Sequence, residues 1–265
     1  MPLPVLDEPE ILRAIFYPRR EYPSSLGVAS GLSLSISVDQ RLSVGARLYP
    51  ANRQAPAILY WHGNGEIAAD YDDLAPLYTT SGITLLVVDY RGYGTSGGSP
   101  TCSDLLSDAV TVFHAAHELF AQQSLAPSRL YAMGRSLGSA AAIEVAAQGG
   151  DSLAGLIVES GFADTFALLA RLGIRLQGVE ESQDGFNNAA KMERITIPSL
   201  IIHGQQDVLI PAQDGEELFR RSAAPDKRLL LIPGAGHNDL LARGLSQYME
   251  SIVAFVFGEQ GGLAQ

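Results

Sequence analysis

Six short stretches of this chain are almost wholly apolar: 57–61, 83–88, 130–133, 156–158, 199–202 and 229–232. Strands covered on both faces have no polar side to show, so runs of this kind predict a mostly parallel sheet with helices above and below it. Two earlier runs, 32–38 and 43–49, alternate apolar and polar residues around Asp39-Gln40-Arg41 and predict a hairpin with one exposed face.

The gaps between the later runs carry helical periodicity. Leu105, Ala109, Val112, Phe113, Ala116, Leu119 and Phe120 recur at helical spacing and form one stripe. An Ala-rich helix over 140–147 ends at Gly149-Gly150, and Leu241, Leu245, Tyr248, Ile252 and Val256 mark a last helix. The order is a hairpin followed by repeated strand-helix units, which predicts an α/β fold of about eight strands with its ligand site beyond the C-terminal strand ends. The expected organisation is an extended, proline-rich arm over 1–25, one domain over 26–258 and a flexible tail over 259–265. No internal repeat is visible.

Composition excludes several classes. Asp and Glu number 29 against 18 Lys and Arg, a formal charge of −11, which repels phosphate backbones and argues against nucleic-acid binding. The single cysteine, Cys102, excludes an internal disulfide and a Cys-rich zinc site. No apolar run approaches the ~18 residues that span a bilayer, and the first residues lack the pattern of a secretory signal. A cytoplasmic protein is the expectation.

Two segments match G-x-S-x-G: Gly134-Arg135-Ser136-Leu137-Gly138 and Gly94-Thr95-Ser96-Gly97-Gly98. Chance supplies roughly 0.2 such matches in a chain of this composition, so context must decide. Ser136 lies between an apolar run and the Ala-rich helix, the strand-turn-helix that holds a serine in a tight turn with its hydroxyl outward. Ser96 sits in a Gly-rich loop with no helix after it and reads as loop. Ser136 is therefore the candidate nucleophile.

A serine hydroxyl needs a base to take its proton. His114 and His117 flank the stripe of an amphipathic helix and read as solvated surface. His62 and His203 end strands. His237, in Gly234-Ala235-Gly236-His237-Asn238-Asp239, lies in a loop after the last strand and is the candidate base. An acid must hold the imidazole. Asp207 follows the next-to-last strand by a short turn, 30 residues before His237. Its competitor, Asp164, also reads as the N-cap of a helix starting at Thr165. The oxyanion needs two N–H donors, for which the backbone groups of Leu137 and Asn64 are the candidates. An ordinary glycine turn is the other reading of His62-Gly63-Asn64-Gly65.

With these residues in hand, the chain resembles the α/β-hydrolase superfamily. The resemblance rests on His62-Gly-Asn-Gly65, Asp89-Tyr-Arg-Gly-Tyr-Gly94, Gly134-x-Ser136-x-Gly138, Leu200-Ile-Ile-His-Gly204 with Asp207, and Gly236-His237-Asn238, and it covers roughly 26–257. It is most similar to the small, nearly lidless serine hydrolases, which include esterases and protein depalmitoylases; Phe16-Tyr17-Pro18-Arg19 also resembles that group. The N-terminal membrane anchor or cysteine-rich segment frequent there has no counterpart in this sequence. The resemblance implies an acyl-enzyme on Ser136, an ester or thioester of a small or acylated substrate, and no metal or organic cofactor. Peptidase, amidase or other α/β-hydrolase chemistry, such as carbon–carbon bond cleavage or perhydrolysis, and a slow-turnover ligand-binding module that keeps the same residues, are the alternatives. The short lid segment, 165–197, would set specificity. Phe162, Phe166 and Leu169 are the pocket candidates, although the apolar residues of this segment equally fit a helix packed on the sheet. Arg135 reads either as an attractor of an anionic substrate group or as a residue packed beneath the turn.

Overall fold

The computed structural model describes residues 2–22 and 31–258. Eight strands form one sheet: β1 Leu32–Ser37, β2 Ser43–Tyr49, β3 Ala57–Trp61, β4 Thr84–Val88, β5 Leu130–Arg135, β6 Gly155–Glu159, β7 Ser199–Gly204 and β8 Lys227–Ile232. Their order is β1-β2-β4-β3-β5-β6-β7-β8. β1 pairs antiparallel with β2 and β2 with β4, while every later pairing is parallel. Nine α-helices accompany them among the described residues: α1 Pro9–Ile15, α2 Ala75–Thr79, α3 Cys102–Gln122, α4 Gly138–Gly149, α5 Thr165–Arg171, α6 Glu181–Asp184, α7 Asn188–Met192, α8 Ala212–Arg221 and α9 Leu240–Phe257.

The wholly apolar runs are explained by the two-residue period of a strand, which sends successive side chains to opposite faces. In β3, Ala57, Leu59 and Trp61 enter the core with α3 and α4, while Ile58 and Tyr60 enter the core with α9. β4 divides in the same way, Leu86 and Val88 against Leu85 and Val87. Both faces are apolar because both are covered. The sheet edges differ. In β1 only Ile36 is buried and Leu32 is 48% exposed, whereas β8 begins with Lys227 and Arg228, charges of the kind that discourage edge-to-edge pairing.

The first segment departs from the expected extended arm. Pro9 in the first turn, where its missing N–H costs nothing, and Ile11 and Ile15 on one face make α1 a helix. Leu3, Leu6, Ile11, Ile15 and Phe16 are buried with the main core. Asp7 Oδ1 accepts the N–H groups of Cys102 (2.8 Å) and Ser103 (3.2 Å), placing a carboxylate at the positive end of the long helix α3. Proline content reads as extension only when the intervening apolar spacing is ignored. Positions 1 and 23–25 of the arm, 26–30 of the domain and the 259–265 tail lie outside the described residues.

Among the described residues no helix is long and apolar enough to cross a membrane. Segment 165–197 holds the short helices α5, α6 and α7 and no further sheet.

The two-sided core sets a testable contrast. Leu59→Ala, at the centre of the sheet, is expected to cost about 3 kcal/mol in urea denaturation, and Leu32→Ala, at the open edge, less than about 1 kcal/mol. Equal costs would contradict the layering.

Candidate active site

Backbone meets backbone closely where β5 turns into α4. A Cβ on Gly138 would stand 2.1 Å from the Trp61 carbonyl oxygen, and one on Gly134 would stand 2.1 Å from that of Gly138. Helix and strand backbones are thus in direct contact, which only glycine permits. Between them Ser136 adopts φ +51°, a left-handed conformation that costs a non-glycine residue about 1–2 kcal/mol. The conformation is held from both sides. Ser136 N–H donates to the Glu159 carbonyl (2.9 Å), and the Ser136 carbonyl accepts from the Ser139 N–H (3.0 Å) and hydroxyl (2.6 Å).

Three side chains remote in sequence meet at this turn. His237 Nε2 lies 2.9 Å from Ser136 Oγ, and His237 Nδ1 lies 2.7 Å from Asp207 Oδ2. Asp207 Oδ1 accepts from the N–H groups of Leu209 (2.9 Å) and Ile210 (2.8 Å). With Nδ1 donating to the carboxylate, Nε2 presents a lone pair to the serine hydroxyl. Burial alone would raise the pKa of Asp207, but His203, His237 and the Ile210 N–H outweigh it and hold the carboxyl well below the usual range. His203, fully buried, lies with Nε2 2.7 Å from the Ile210 carbonyl and 3.5 Å from Asp207.

The competing residues have other work. Asp164 caps α5, accepting the Ala167 N–H at 2.7 Å. The buried Ser96 hydroxyl accepts the Gly45 N–H at 2.8 Å and fixes a loop. His114 and His117 are exposed on α3. Arg91, in the wall beside the site, is spent on Asp108 (2.7 and 2.8 Å) and Asp104 (3.2 Å).

The loop carrying Asn64 is braced throughout. Gly63 N–H donates to Glu66 (2.9 Å), His62 Nδ1 to the Gly63 carbonyl (2.8 Å) and Tyr93 hydroxyl to Asn64 Oδ1 (2.7 Å). The Tyr17 N–H also reaches Asn64 Oδ1 at 2.7 Å, so the segment after α1 closes over this loop. Leu137 caps α4 directly after Ser136. Of the three pocket candidates, Phe162 is fully buried against the Phe186 ring (5.7 Å between centroids) and Leu169 is buried in the core. Phe166 alone of the three keeps open surface.

Arg135 packs beneath the turn and is not open to an anionic group. Its Nη2 donates to the His237 carbonyl and to Asn238 Oδ1, both at 2.9 Å, its Nε donates to Glu159 (3.1 Å), and its Nη1 donates to Glu66. Burial alone would lower its pKa, but Glu66 and Glu159 raise it further, so the guanidinium stays charged. Behind it lies a cavity of about 200 Å³ lined by Tyr60, Tyr71, Tyr78 and Tyr248 with Glu66 and Glu159. Sequence reasoning missed both carboxylates; their only signal was position, just past β3 and at the end of β6. Among the described residues, no three His, Cys, Asp or Glu side chains are grouped to hold a metal ion.

The chain is similar in sequence and in fold to known proteins. The family described as serine aminopeptidase, S33, matches residues 52–175 and 167–241. The uncharacterised protein YfhR of Escherichia coli O157:H7 is 32% identical over 211 residues, 78% of this chain and 72% of its own. Human α/β hydrolase domain-containing protein 17B is 31% identical over 208 residues, 76% of this chain and 66% of its own. Among solved structures, the Pyrococcus furiosus esterase Pf2001 superposes with TM-score 0.72 at 17% identity, covering 90% of this chain and 97% of its own. Est1E from Butyrivibrio proteoclasticus with ferulic acid bound superposes with TM-score 0.69 at 20% identity, covering 84% and 97%.

Two expectations follow. Gly138→Ala, which drives a methyl group into the Trp61 carbonyl, is expected to lower stability by at least about 2 kcal/mol in urea denaturation, and a neutral result would contradict the close approach. Asp207 titrates near pH 4 in an unfolded chain and lower in the fold, so its ionised form stabilises the fold above that pH and the benefit fades on acidification. The stability gap between wild type and Asp207→Asn is therefore expected to narrow between about pH 4 and pH 2. A gap that stays flat over this range would contradict the lowered pKa.

Proposed function

The chain belongs to the α/β-hydrolase superfamily, in the family described as serine aminopeptidase S33, and from that premise we propose that it is a serine hydrolase cleaving a carboxylic ester or thioester through an acyl-enzyme on Ser136. The observation that carries this reading is the unbroken contact from Ser136 Oγ through both ring nitrogens of His237 to Asp207.

In this reading His237 Nε2 takes the hydroxyl proton as Ser136 Oγ attacks the carbonyl carbon. The ionised Asp207 stabilises the imidazolium that forms. The backbone N–H groups of Leu137 and Asn64 receive the oxyanion. The C–O or C–S bond then breaks, and the alcohol or thiol leaves with the proton from Nε2. Water enters, gives a proton to His237 and attacks the acyl carbon; collapse releases the acid and returns the proton to Ser136. No step draws on a cofactor. On the lid segment Phe166, Leu168, Ile174 and Leu176 are half-buried against the main core, and in this reading the apolar surface they leave open would take an apolar acyl group.

A fluorophosphonate probe is expected to label wild type at Ser136, and Ser136→Ala is expected to lose about 10³-fold or more of its turnover on p-nitrophenyl acyl esters. Equal rates in the two proteins would refute the nucleophile. Faster cleavage of the matching anilides would favour peptidase or amidase chemistry over ester hydrolysis. Labelling with a single turnover would support a slow ligand-binding module.

A further inference from the structure

No step of acyl transfer uses Arg135, yet its guanidinium joins three loops. It precedes Ser136 in the nucleophile turn. Its Nη2 holds the histidine loop at the His237 carbonyl and at the Asn238 side chain. Its Nη1 holds Glu66, whose other oxygen takes the Gly63 N–H in the Asn64 loop. Its Nε holds Glu159, whose own carbonyl takes the Ser136 N–H.

An anion-recognition role does not fit this arrangement. The side chain is 12% exposed and two carboxylates already oppose its charge. Four of the five N–H groups of a guanidinium are engaged. The carboxylates are themselves fixed, Glu66 by the Tyr71 hydroxyl (2.8 Å) and Glu159 by that of Tyr248 (2.6 Å). A Cβ on Gly63 would stand 2.5 Å from Nη1, so the glycine there makes room for the guanidinium.

The histidine loop needs such a fixture. Bonds from Gly236 N–H to Asp239 (2.6 Å) and from Gln206 N–H to the Ala235 carbonyl (2.8 Å) anchor the loop before His237, whereas Arg135 holds the His237 carbonyl itself, and an imidazole displaced by about 1 Å loses its contact with Ser136 Oγ. We propose that Arg135 is a positioning residue, which keeps His237 and the Asn64 loop in register with Ser136 by hydrogen-bonding both to the residue next to the nucleophile. The inference rests on the serine-hydrolase reading of the same site.

The test compares the whole protein with Arg135→Ala and Arg135→Lys. Arg135→Ala is expected to lower kcat about 100-fold on an acyl ester while KM stays within about twofold, because substrate contacts remain and alignment is lost. Millimolar guanidinium chloride, admitted through the adjoining cavity, is expected to restore about tenfold of that loss without affecting wild type. Arg135→Lys keeps the charge but cannot span the four partners, so its kcat is expected to fall about tenfold. A second readout needs no substrate: the downfield proton NMR signal of His237 Nδ1–H, identified by its absence in His237→Asn, is expected to broaden or shift in both arginine variants. Wild-type kcat in Arg135→Ala, a loss that guanidinium leaves untouched in a folded protein, or an unchanged proton signal overturns the proposal. If Arg135→Ala does not fold, Arg135→Lys decides by the same kcat, KM and proton readouts. Failure of wild type to hydrolyse any acyl ester or thioester would instead defeat the hydrolase reading, and the proton signal would still decide the positioning role.

Discussion

The contact of the Gly138 backbone with the Trp61 carbonyl is the constraint from which the site is built. It brings the first turn of α4 onto the end of β3 and leaves the chain between β5 and α4 no relaxed path. Ser136 takes the left-handed conformation because the two glycines on either side have fixed where the chain must enter and leave. The conformational cost is borne by the surrounding bonds to Glu159 and Ser139, and the hydroxyl is held at the sheet rim before any substrate arrives.

Electrostatics complete what packing begins. The site keeps ionised groups in a largely buried setting by giving each several partners. Asp207 has two backbone N–H groups and His237; Arg135 has two carboxylates, a carbonyl and an amide. The buried tyrosines around Glu159 have pKa values pushed up by burial, so they remain neutral donors to its carboxylate. A charged network that dense does not tolerate the loss of one member as a surface network would.

Much of this was legible in the sequence, and for physical reasons. The inner strands β3 to β7 announced themselves because both faces of the sheet are covered there, which removes polar residues from runs such as 57–61. Ser136, Asp207 and His237 stood out because each occupies a turn after a strand, and at those strand ends the three side chains meet. Other features could not be read. Helix α1 was hidden by prolines whose effect depends on where in the helix they fall. Phe162 looked like a pocket wall because an aromatic side chain near a site reads the same whether it faces a ligand or Phe186. Arg135 left two readings open, since the partners that decide between them, Glu66 and Glu159, lie 69 and 24 residues away.

The segment following α1 crosses the Asn64 loop through the Tyr17 N–H, which meets Asn64 at a separation of 47 residues and the Tyr93 hydroxyl at 76. A ribosome delivers this segment well before either partner exists. Its two partners follow β3 and β4, so it can brace the Asn64 loop from outside only where both strands are in place. A chain whose strap came away would keep its sheet and lose this outer brace of the Asn64 loop, so the geometry of that loop depends on a segment far from it in sequence.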